Sequence, residues 1–317
     1  MGWGILPGDP RVESSLEQGL KLVFFCWLSV IIPDLRDTVD MRTYSSNAQL
    51  QSALRGFRHN GQSIGFVPTM GNLHEGHLDL VRKARQLCDI VVVSIFINPL
   101  QFGPSDDLDA YPRTLAADKE KLFSEGVQVL YTPGVKDIYP EGMQAQTLVH
   151  VPDLGETLCG SSRPGHFDGV TTVVSKLFNI VQPDIAVFGE KDFQQLSIVR
   201  KMVKDLCIPI NIVGVATTRD EDGLAKSSRN GYLSFEQRRI APTLNQTLNS
   251  CREAIACGFD NFFELESHAR IKLLQAGFDA DYFAVRDAHT LLAVTEDTEE
   301  IAILAAACLG STRLIDN

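Results

Sequence analysis

Two histidines, His74 and His77, lie three positions apart in the glycine-containing segment 69–77. Gly71 and Gly76 would let the backbone come close to a phosphate, and a helix beginning here would present free N–H groups and the positive end of its dipole. Imidazoles at such a place can donate hydrogen bonds to phosphate oxygens and stabilise developing negative charge. Two solvent-exposed histidines on a turn are the alternative. Because the spacing differs from the H-E-x-x-H pattern of helical zinc sites, we expect a phosphate site.

Two further segments could bring positive charge to the same phosphate. The turn 189–192 follows an apolar run, which places Lys191 at the carboxyl end of a predicted strand, where parallel sheets bind ligands. The segment 226–229 contains two hydroxyls between two cations, a composition suited to clamping phosphate oxygens. The alternatives are an ordinary polar turn and a solvated linker. Neither segment is specific alone, but with the histidines they indicate a polyphosphate site.

Two glutamines are candidates for binding a small polar substrate beside this site. Gln101 follows the strongest predicted strand, and Gln195 follows the turn 189–192. Amide groups can bind a carboxylate or a hydroxyl without adding charge. An acidic loop nearby is interpreted as solvated surface; it contains Asp106, Asp107 and Asp109.

The apolar pattern predicts the elements that position these residues. Segment 64–98 is predicted as strand, loop, helix and strand, and the β-branched run 90–98 is typical of a strand buried on both faces. This order implies a parallel sheet with a right-handed crossover. Further strands are predicted at 128–132, 184–188 and 210–216, with helices at 46–60, 78–88, 116–125, 169–181 and 194–206. We therefore predict an α/β fold with a doubly wound, Rossmann-like parallel sheet that binds ligands at its carboxyl edge.

The pattern changes after Thr218. A polar loop is followed by a capping box at Ser234 and Gln237, which predicts one helix reaching about Cys257. A helix at 263–275 and strands at 282–286 and 301–308 complete a smaller α+β domain, which could act as a lid. We expect a Rossmann-like domain at 41–217, a lid domain at 218–317, and an atypical extension at 1–40.

Composition narrows the class of protein. The chain of 317 residues carries a net charge of -11, which argues against a broad nucleic-acid surface because phosphate backbones would be repelled. Its seven cysteines contain no C-x-x-C pair, and we interpret them as reduced thiols of a cytoplasmic protein.

Residues 1–40 do not share the later pattern. The apolar run 20–32 is too short to span a bilayer comfortably, and no small-residue cleavage site follows it. We favour Met41 as the native start; a genuine extension that docks or anchors is the alternative. For residues 41–317 we expect no membrane association.

With these pieces assembled, the chain from about residue 41 to 317 closely resembles the pantothenate synthetase family (pantoate–β-alanine ligase, AMP-forming) of the H-I-G-H-type nucleotidyltransferase superfamily. The resembling strings are PTMGNLHEGH (68–77), IFINPLQF (95–102), DLDAYPRT (107–114), GHFDGV (165–170), VFGEKDFQQL (187–196), DGLAKSSRNGYL (222–233) and GSTRLIDN (310–317). Segment 74–77 is similar to the H-I-G-H signature, and 226–229 is similar to its K-M-S-K-S counterpart.

The resemblance implies a two-step reaction. The carboxylate of pantoate attacks the α-phosphate of ATP, giving pantoyl adenylate and pyrophosphate, and the amine of β-alanine then displaces AMP. His77 is implied as the proton donor, Gln101 as holding pantoate and bordering the β-alanine site, and Gln195 as holding pantoate. The implied ATP-binding residues are Met70, Gly71, Asn72, Leu73, His74, Glu75, Gly76, His77, Gly189, Glu190, Lys191, Asp192, Thr218, Lys226, Ser227, Ser228 and Arg229.

The resemblance also implies a cytoplasmic homodimer built mainly through the larger domain, and Mg²⁺ that reaches the site through the phosphates. The protein ligand of the metal stays unknown, with Asp118 a weak candidate. Position 226 is a departure, since family members commonly have Met or Leu there; we expect Lys226 to face solvent, because Arg229 already supplies the clamp with a cation.

Two other functions remain open at this point. One is an adenylyl-transferring enzyme of the same superfamily that acts on a phosphorylated acceptor, although two glutamines suit a small carboxylate better. The other is a nucleotide-sensing protein without chemistry, which the presence of His74, His77 and Lys191 argues against.

Overall fold

The computed structural model of the protein describes Met1 and residues 41–317, except for 104, 105 and 107. The predictions for residues 2–40, Cys26 among them, and for Asp107 lie outside the described residues. The described residues from 41 to 317 form one compact unit.

The larger sheet has six parallel strands in the order β1-β4-β3-β2-β5-β6. Its strands are Arg42–Tyr44 (β1), Ile64–Thr69 (β2), Ile90–Ile95 (β3), Val129–Tyr131 (β4), Ile185–Gly189 (β5) and Asn211–Val215 (β6). From β2 the chain moves outward through β3 to β4, and later returns to the other side of β2 with β5 and β6. The order therefore reverses between β2 and β5, and ligands of such sheets bind at the carboxyl ends of the strands beside that point.

Helices cover both faces of this sheet. They are Asn47–His59 (α1), Glu75–Leu87 (α2), Leu115–Ser124 (α3), Val135–Ile138 (α4), Cys159–Ser162 (α5), His166–Val181 (α6) and Phe193–Asp205 (α7). Successive residues of a strand point to opposite faces. Accordingly, Val91 and Val93 pack in the core beneath α2, whereas Val92 packs in the core on the other face, beside α1 and α6. Burial on both faces explains the continuous β-branched run of β3.

The remaining chain forms a smaller α+β region. It contains Phe235–Ile240 (α8), Thr243–Ala256 (α9), Phe262–Gln275 (α10) and an antiparallel sheet of Asp279–Asp287 (β7), Ile301–Leu309 (β8) and Thr312–Asp316 (β9). Phe283 and Val285 pack in a separate core with α9 and α10, while Tyr282 and Ala284 join the core of the larger sheet. The predicted fold class is therefore confirmed. A domain boundary at 217/218 and the movement of a lid stay predictions.

Several predicted elements need correction. The strand predicted at 90–98 ends at Ile95, because Asn98 instead caps a 3₁₀ turn at Pro99–Gln101. The helix predicted from 234 to about 257 is two helices, since the chain turns at Pro242, which has no N–H to continue the helix. Strands β1 and β9 and the short helices α4 and α5 were not predicted; their lengths of three to five residues leave little periodicity to detect.

Two further observations concern membrane-spanning helices and cysteines. Among these residues no helix combines the length and the apolar composition needed to cross a bilayer. All six described cysteines are free thiols: Cys88, Cys159, Cys207, Cys251, Cys257 and Cys308.

Candidate active site

A buried carboxylate shapes the loop that follows β2. Asp118, from the first turn of α3, is only 1 % exposed, and its two oxygens accept the backbone N–H groups of Asn72 at 2.9 Å and Leu73 at 2.8 Å. Gly71 has φ +85°, a left-handed conformation that favours glycine. The loop between β2 and α2 is therefore held in one tight conformation before the helix begins.

The two histidines lie where that loop becomes a helix. His74 is the N-cap of α2 and His77 belongs to its first turn, so the helix predicted at 78–88 begins earlier than expected, at Glu75. The backbone N–H of His74 donates to Nδ1 of His77 at 3.3 Å, and the two ring centroids are 4.1 Å apart. Because Nδ1 of His77 accepts, the proton of its neutral ring lies on Nε2, which can donate to a ligand.

Both imidazoles are electrically neutral near pH 7. Burial, with smaller effects from the charges of His77 and Lys191, lowers the pKa of His74 to about 3. Burial, followed by the charges of Lys191 and Lys121, lowers the pKa of His77 to about 4. The pair can donate hydrogen bonds to an anion as neutral rings, while proton donation by His77 stays a prediction. Nδ1 of His74 is buried and has no hydrogen-bond partner within the described part of the chain.

Lys191 comes from the neighbouring strand end. It lies in a 3₁₀ turn, Glu190–Asp192, directly after β5, next to β2 at the point where the strand order reverses. Its ammonium is 3.9 Å from the carboxylate of Asp192, and its charge acts on both histidines. The side-chain amide of Asn317 donates to the carbonyl oxygens of Glu190 at 2.8 Å and Lys191 at 2.9 Å, which fixes the turn.

Glu190 and Asp192 occupy different surroundings within this turn. A carboxylate oxygen of Glu190 lies so close to Gly214 that a Cβ there would approach it to 2.8 Å, which places the side chain against β6. Asp192 lines the cavity described below. The structure thus brings Lys191 and Asp192 toward the candidate site and directs the carboxylate of Glu190 to the neighbouring strand.

The segment after β6 packs against the histidine loop. The hydroxyl of Thr218 donates to Asp79 of α2 at 2.6 Å, and the hydroxyl of Ser228 donates to the carbonyl oxygen of Asn72 at 3.1 Å. The three predicted phosphate segments therefore meet at one edge of the sheet.

We expected Lys226 to face solvent, but the structure places its side chain in an ion pair. Its ammonium is 2.5 Å from a carboxylate oxygen of Asp220, and its side chain is only 28 % exposed. Its charge also contributes to the lowered pKa of His74, so Lys226 lies within electrostatic reach of the histidine loop. Arg229 has its guanidinium carbon 6.0 Å from the ring centroid of Tyr111, a distance suited to a cation–π contact.

A cavity of about 730 Å³ extends from this edge toward the smaller sheet. Five of the predicted site residues line it: Lys191, Asp192, Gln195, Ser227 and Arg229. The histidines and Gln101 are outside its lining, so the candidate site comprises the histidine loop and this cavity side by side. Residues of β9 form the far wall of the cavity.

The two predicted glutamines differ in their contacts. Gln101 lies in the 3₁₀ turn after β3; its Oε1 accepts from Asn98 at 3.1 Å, and its Nε2 is 3.2 Å from Sδ of Met70. Gln194 and Gln195 both line the cavity, but the side chain of Gln194 is buried and bonds to backbone groups around Cys159. Both adjacent glutamines therefore reach the cavity, and the amide of Gln194 is already bonded to the backbone beside it.

The weak metal candidate is better explained as a structural residue. The carboxylate of Asp118 already accepts two backbone N–H groups and the hydroxyl of Thr114 at 3.0 Å. Within the described part of the chain, no group of three or more His, Cys, Asp or Glu residues has a geometry that could hold a metal ion. The donor set therefore does not fit a metal held by the protein alone.

Sequence reasoning gave no role to several residues that shape the site. Arg163 and His166 line the cavity, Asn98 holds Gln101, and Asn317 holds the Lys191 turn. All four lie within or next to the resembling strings around 95–102, 165–170 and 310–317, which was the available signal. Asn317 and Arg163 have partners far away in the chain, Lys191 and Asp106, so the sequence did not show these contacts.

The fold and this geometry define an α/β protein suited to binding a phosphate-bearing ligand where its sheet order reverses. The chain belongs to the pantoate-beta-alanine ligase family, whose sequence model matches residues 42–317. Pantothenate synthetase from Pseudomonas entomophila is 58% identical over 277 residues, covering 87% of this chain and 96% of that protein. The protein of the same name from Marinobacter nauticus is 56% identical over 277 residues, covering 87% and 98%.

Solved structures of the family are similar to this one. Pantothenate synthetase from Thermus thermophilus matches with a TM-score of 0.81 and 46% identity, covering 87% of this chain and 98% of that chain. Pantoate-beta-alanine ligase from Francisella tularensis, complexed with beta-gamma ATP and beta-alanine, matches with a TM-score of 0.74 and 35% identity, covering 87% and 96%. The expected family, fold class and enzyme class, a ligase, are confirmed.

Proposed function

We propose that this protein joins pantoate to β-alanine with ATP as the energy source, through a pantoyl-adenylate intermediate. Membership of the pantoate-beta-alanine ligase family over residues 42–317 carries the proposal. A relative bound to an ATP compound and β-alanine supports two of the three substrates. The convergence of the three phosphate segments at one sheet edge supports ATP at that edge.

The first step forms the adenylate. A carboxylate oxygen of pantoate attacks the α-phosphorus of ATP, the bond between that phosphorus and the bridging oxygen breaks, and pyrophosphate leaves. The protein has to align the two reactants and stabilise charge on the phosphate oxygens. His74 and His77 would donate to those oxygens as neutral rings, and Lys191 would add a positive charge. No covalent enzyme intermediate is needed.

The second step forms the amide. The neutral amine of β-alanine attacks the carbonyl carbon of the adenylate, the bond from that carbon to the phosphate oxygen breaks, and AMP leaves. The amine loses a proton to solvent or to a departing phosphate oxygen. Gln101 and Gln195 would bind pantoate through their amides, with Gln101 also bordering β-alanine. Enclosure by the region 218–317 would protect the adenylate from water.

The proposed ATP site comprises residues 70–77, 189–192, Thr218 and 226–229. Within it, Ser227, Ser228 and Arg229 would clamp the phosphates, and Thr218 would lie near the adenine. The contact between Ser228 and the loop at Asn72 supports this arrangement, because it brings the hydroxyl segment to the histidines. Lys226 would act through its charge, since its ammonium already pairs with Asp220.

Magnesium would enter this site bound to the phosphates of ATP, where it supplies further neutralisation of negative charge. The engagement of Asp118 with backbone N–H groups supports that route, since this carboxylate is not free to ligate. We also propose a cytoplasmic homodimer built mainly through the larger sheet domain. Light scattering of the purified protein tests the dimer; a monomeric mass at working concentrations would contradict it.

The reaction is tested by exchange of labelled pyrophosphate into ATP. We expect exchange that depends on pantoate and occurs without β-alanine, because adenylate formation precedes amide formation. Adding β-alanine should divert the adenylate to pantothenate and AMP. Folded protein without pantoate-dependent exchange would contradict the proposal, and exchange only with a phosphorylated acceptor would favour the second adenylyl-transfer function.

A further inference from the structure

The amino-terminal turn of α6 packs directly on the backbone of Gln101. A Cβ at Gly169 would lie 2.6 Å from Cα of Gln101 and 2.6 Å from the carbonyl oxygen of Leu100. Real Cβ atoms do not approach backbone so closely, so this position requires glycine. Asn98 bridges the same contact, because its Nδ2 lies 3.1 Å from both the carbonyl oxygen of Gly169 and Oε1 of Gln101. The turn that presents Gln101 is therefore held by α6.

His166, the first residue of α6, bonds to this turn with a defined tautomer. Its Nδ1 is 2.8 Å from the carbonyl oxygen of Gln101, and its Nε2 is 3.0 Å from a guanidinium nitrogen of Arg163. A guanidinium can only donate, so Nε2 must accept. The proton of the neutral ring is then on Nδ1, which donates to Gln101. Burial, followed by the charge of Arg163, lowers the pKa of His166 to about 4, which keeps the ring neutral.

An ion pair fixes the guanidinium in turn. Arg163 donates to a carboxylate oxygen of Asp106 at 2.7 Å, and that oxygen also accepts the backbone N–H of Gly103 at 2.8 Å. Both side chains of the pair are about 20% exposed. The contacts from Asp106 through Arg163 to His166 therefore end at the backbone of Gln101, five residues before Asp106 in the sequence.

The orientation of the Gln101 amide follows from these contacts. Because Oε1 is occupied by Asn98, the amide presents its Nε2 donor, whose described neighbour is the weak acceptor Sδ of Met70. A thioether is displaced readily by a stronger acceptor, such as a carboxylate or hydroxyl oxygen of the substrate.

We propose that His166 is a positioning residue for the carboxylate substrate, acting by its Nδ1–H bond to the backbone of Gln101, with Arg163 and Asp106 holding the required tautomer. The proposal rests on the proposed function, in which Gln101 binds pantoate. By this proposal His166 affects the binding of pantoate and does not affect the binding of ATP.

Two substitutions of His166 test its Nδ1 and Nε2 hydrogen bonds separately. His166→Asn keeps a donor near the position of Nδ1, whereas His166→Gln places its amide near Nε2, keeping an acceptor for Arg163 but losing the donor to Gln101. One hydrogen bond contributes about 1 kcal/mol, or roughly fivefold. We expect His166→Gln to raise the KM for pantoate about fivefold or more, with the KM for ATP within twofold. His166→Asn should recover most of that loss.

A matched control comes from the exposed His150, whose Nδ1 bonds to Asp168 of the same helix at 2.9 Å. His150→Gln should leave both KM values unchanged. Equal damage by both His166 substitutions, or an equal rise in the KM for ATP, would overturn the proposal in favour of general support of the fold. Circular dichroism and thermal unfolding identify a variant that has lost its structure.

A second measurement is independent of turnover. In protein labelled with ¹⁵N-histidine, the ring signals absent from His166→Gln identify His166, and their shifts distinguish a protonated Nδ1 from a protonated Nε2. We expect the Nδ1–H form at pH 7. The Nε2–H form or a charged ring would overturn the proposal even in an inactive protein. Absence of pantoate-dependent exchange in the wild-type protein, in contrast, contradicts the proposed function itself.

Discussion

The two walls of the candidate phosphate site differ in how they hold their polar groups. The histidine wall, segment 69–77, is fixed by backbone contacts: Asp118 holds the loop, and the backbone of His74 sets the tautomer of His77. The opposite wall, segment 218–232, is held by side chains that are partly exposed, including the ion pair of Lys226 with Asp220. One wall offers neutral, preset donors, and the other offers charges that are already paired with each other.

This difference indicates different tasks. Donors that are fixed before the ligand arrives need no reorganisation as charge develops, which makes them effective in stabilising a transition state. Partly exposed ion pairs contribute little stability, so they can rearrange at small cost. Arg238 illustrates this, because it pairs with both Asp220 at 3.1 Å and Asp222 at 2.5 Å near the surface. We expect catalysis to depend on the first wall and closure to use the second.

The largest expected effect is on the histidine wall itself. His77→Ala removes a preset donor, and loss of one such donor typically lowers the rate about 10²–10³-fold. Pantoate-dependent pyrophosphate exchange should fall by that factor while the circular dichroism spectrum is unchanged. His150→Ala, at an exposed histidine, is the matched control. A His77→Ala protein that exchanges at the wild-type rate would show that the histidine wall is not catalytic.

The support beneath this wall should appear in stability. Asp118→Ala leaves the partly buried N–H of Asn72 and the buried N–H of Leu73 without their acceptor, at about 1–3 kcal/mol each. We expect the free energy of unfolding in urea to fall by about 2–4 kcal/mol. Asp205→Ala removes an exposed partner of Lys201 and should change it by less than about 1 kcal/mol. Similar losses in the two variants would mean that the loop has another anchor.

The buried, neutral histidines also predict a pH dependence. Their native pKa values, about 3 for His74 and about 4 for His77, lie below the ordinary value of 6.5. As pH falls through 6.5, the unfolded chain takes up these protons first, so stability is present above this pH and is lost progressively toward pH 4. Each histidine should lower the free energy of unfolding by on the order of 1–2 kcal/mol at pH 5.

The measurement is the free energy of unfolding at pH 7.5 and pH 5, in the wild type and in a variant with His74→Gln and His77→Gln. The variant should lose less stability between the two pH values. His166, whose pKa is also lowered to about 4, remains in both proteins and cancels in the comparison. An identical loss in both proteins would contradict neutral histidines at this wall.

The smallest effect is expected on the opposite wall. Lys226→Met removes one charge of a partly exposed pair, and such pairs contribute about 0–1 kcal/mol. The KM for ATP should rise by no more than about threefold, with Lys201→Met at the exposed pair with Asp205 as the control. If Lys226→Met instead lowered the rate of pyrophosphate exchange nearly as much as His77→Ala, the Lys226 ammonium would contact the phosphates during the reaction.

Local patterns were sufficient where one stretch of chain carries the whole signal. The β-branched run of β3 identified a strand buried on both faces, and its neighbours identified the parallel sheet. The same reasoning extended β3 to residue 98, because the residue types at 96–98 are compatible with either a strand or a turn. The structure ends the strand at Ile95, since Asn98 bonds to α6 and to the turn of Gln101.

The sequence by itself determined the family, the order of the longer strands and helices of the parallel sheet and the three segments that could bind phosphate, because their residue types and spacings are contiguous. Only the tertiary structure decided that the amide of Gln194 is held by backbone groups around Cys159 and that Asp118 supports a loop rather than a metal. It also decided that His77 is neutral, because a pKa depends on burial and on charges from distant parts of the chain. These properties arise from contacts between residues far apart in sequence, which spacing alone does not encode.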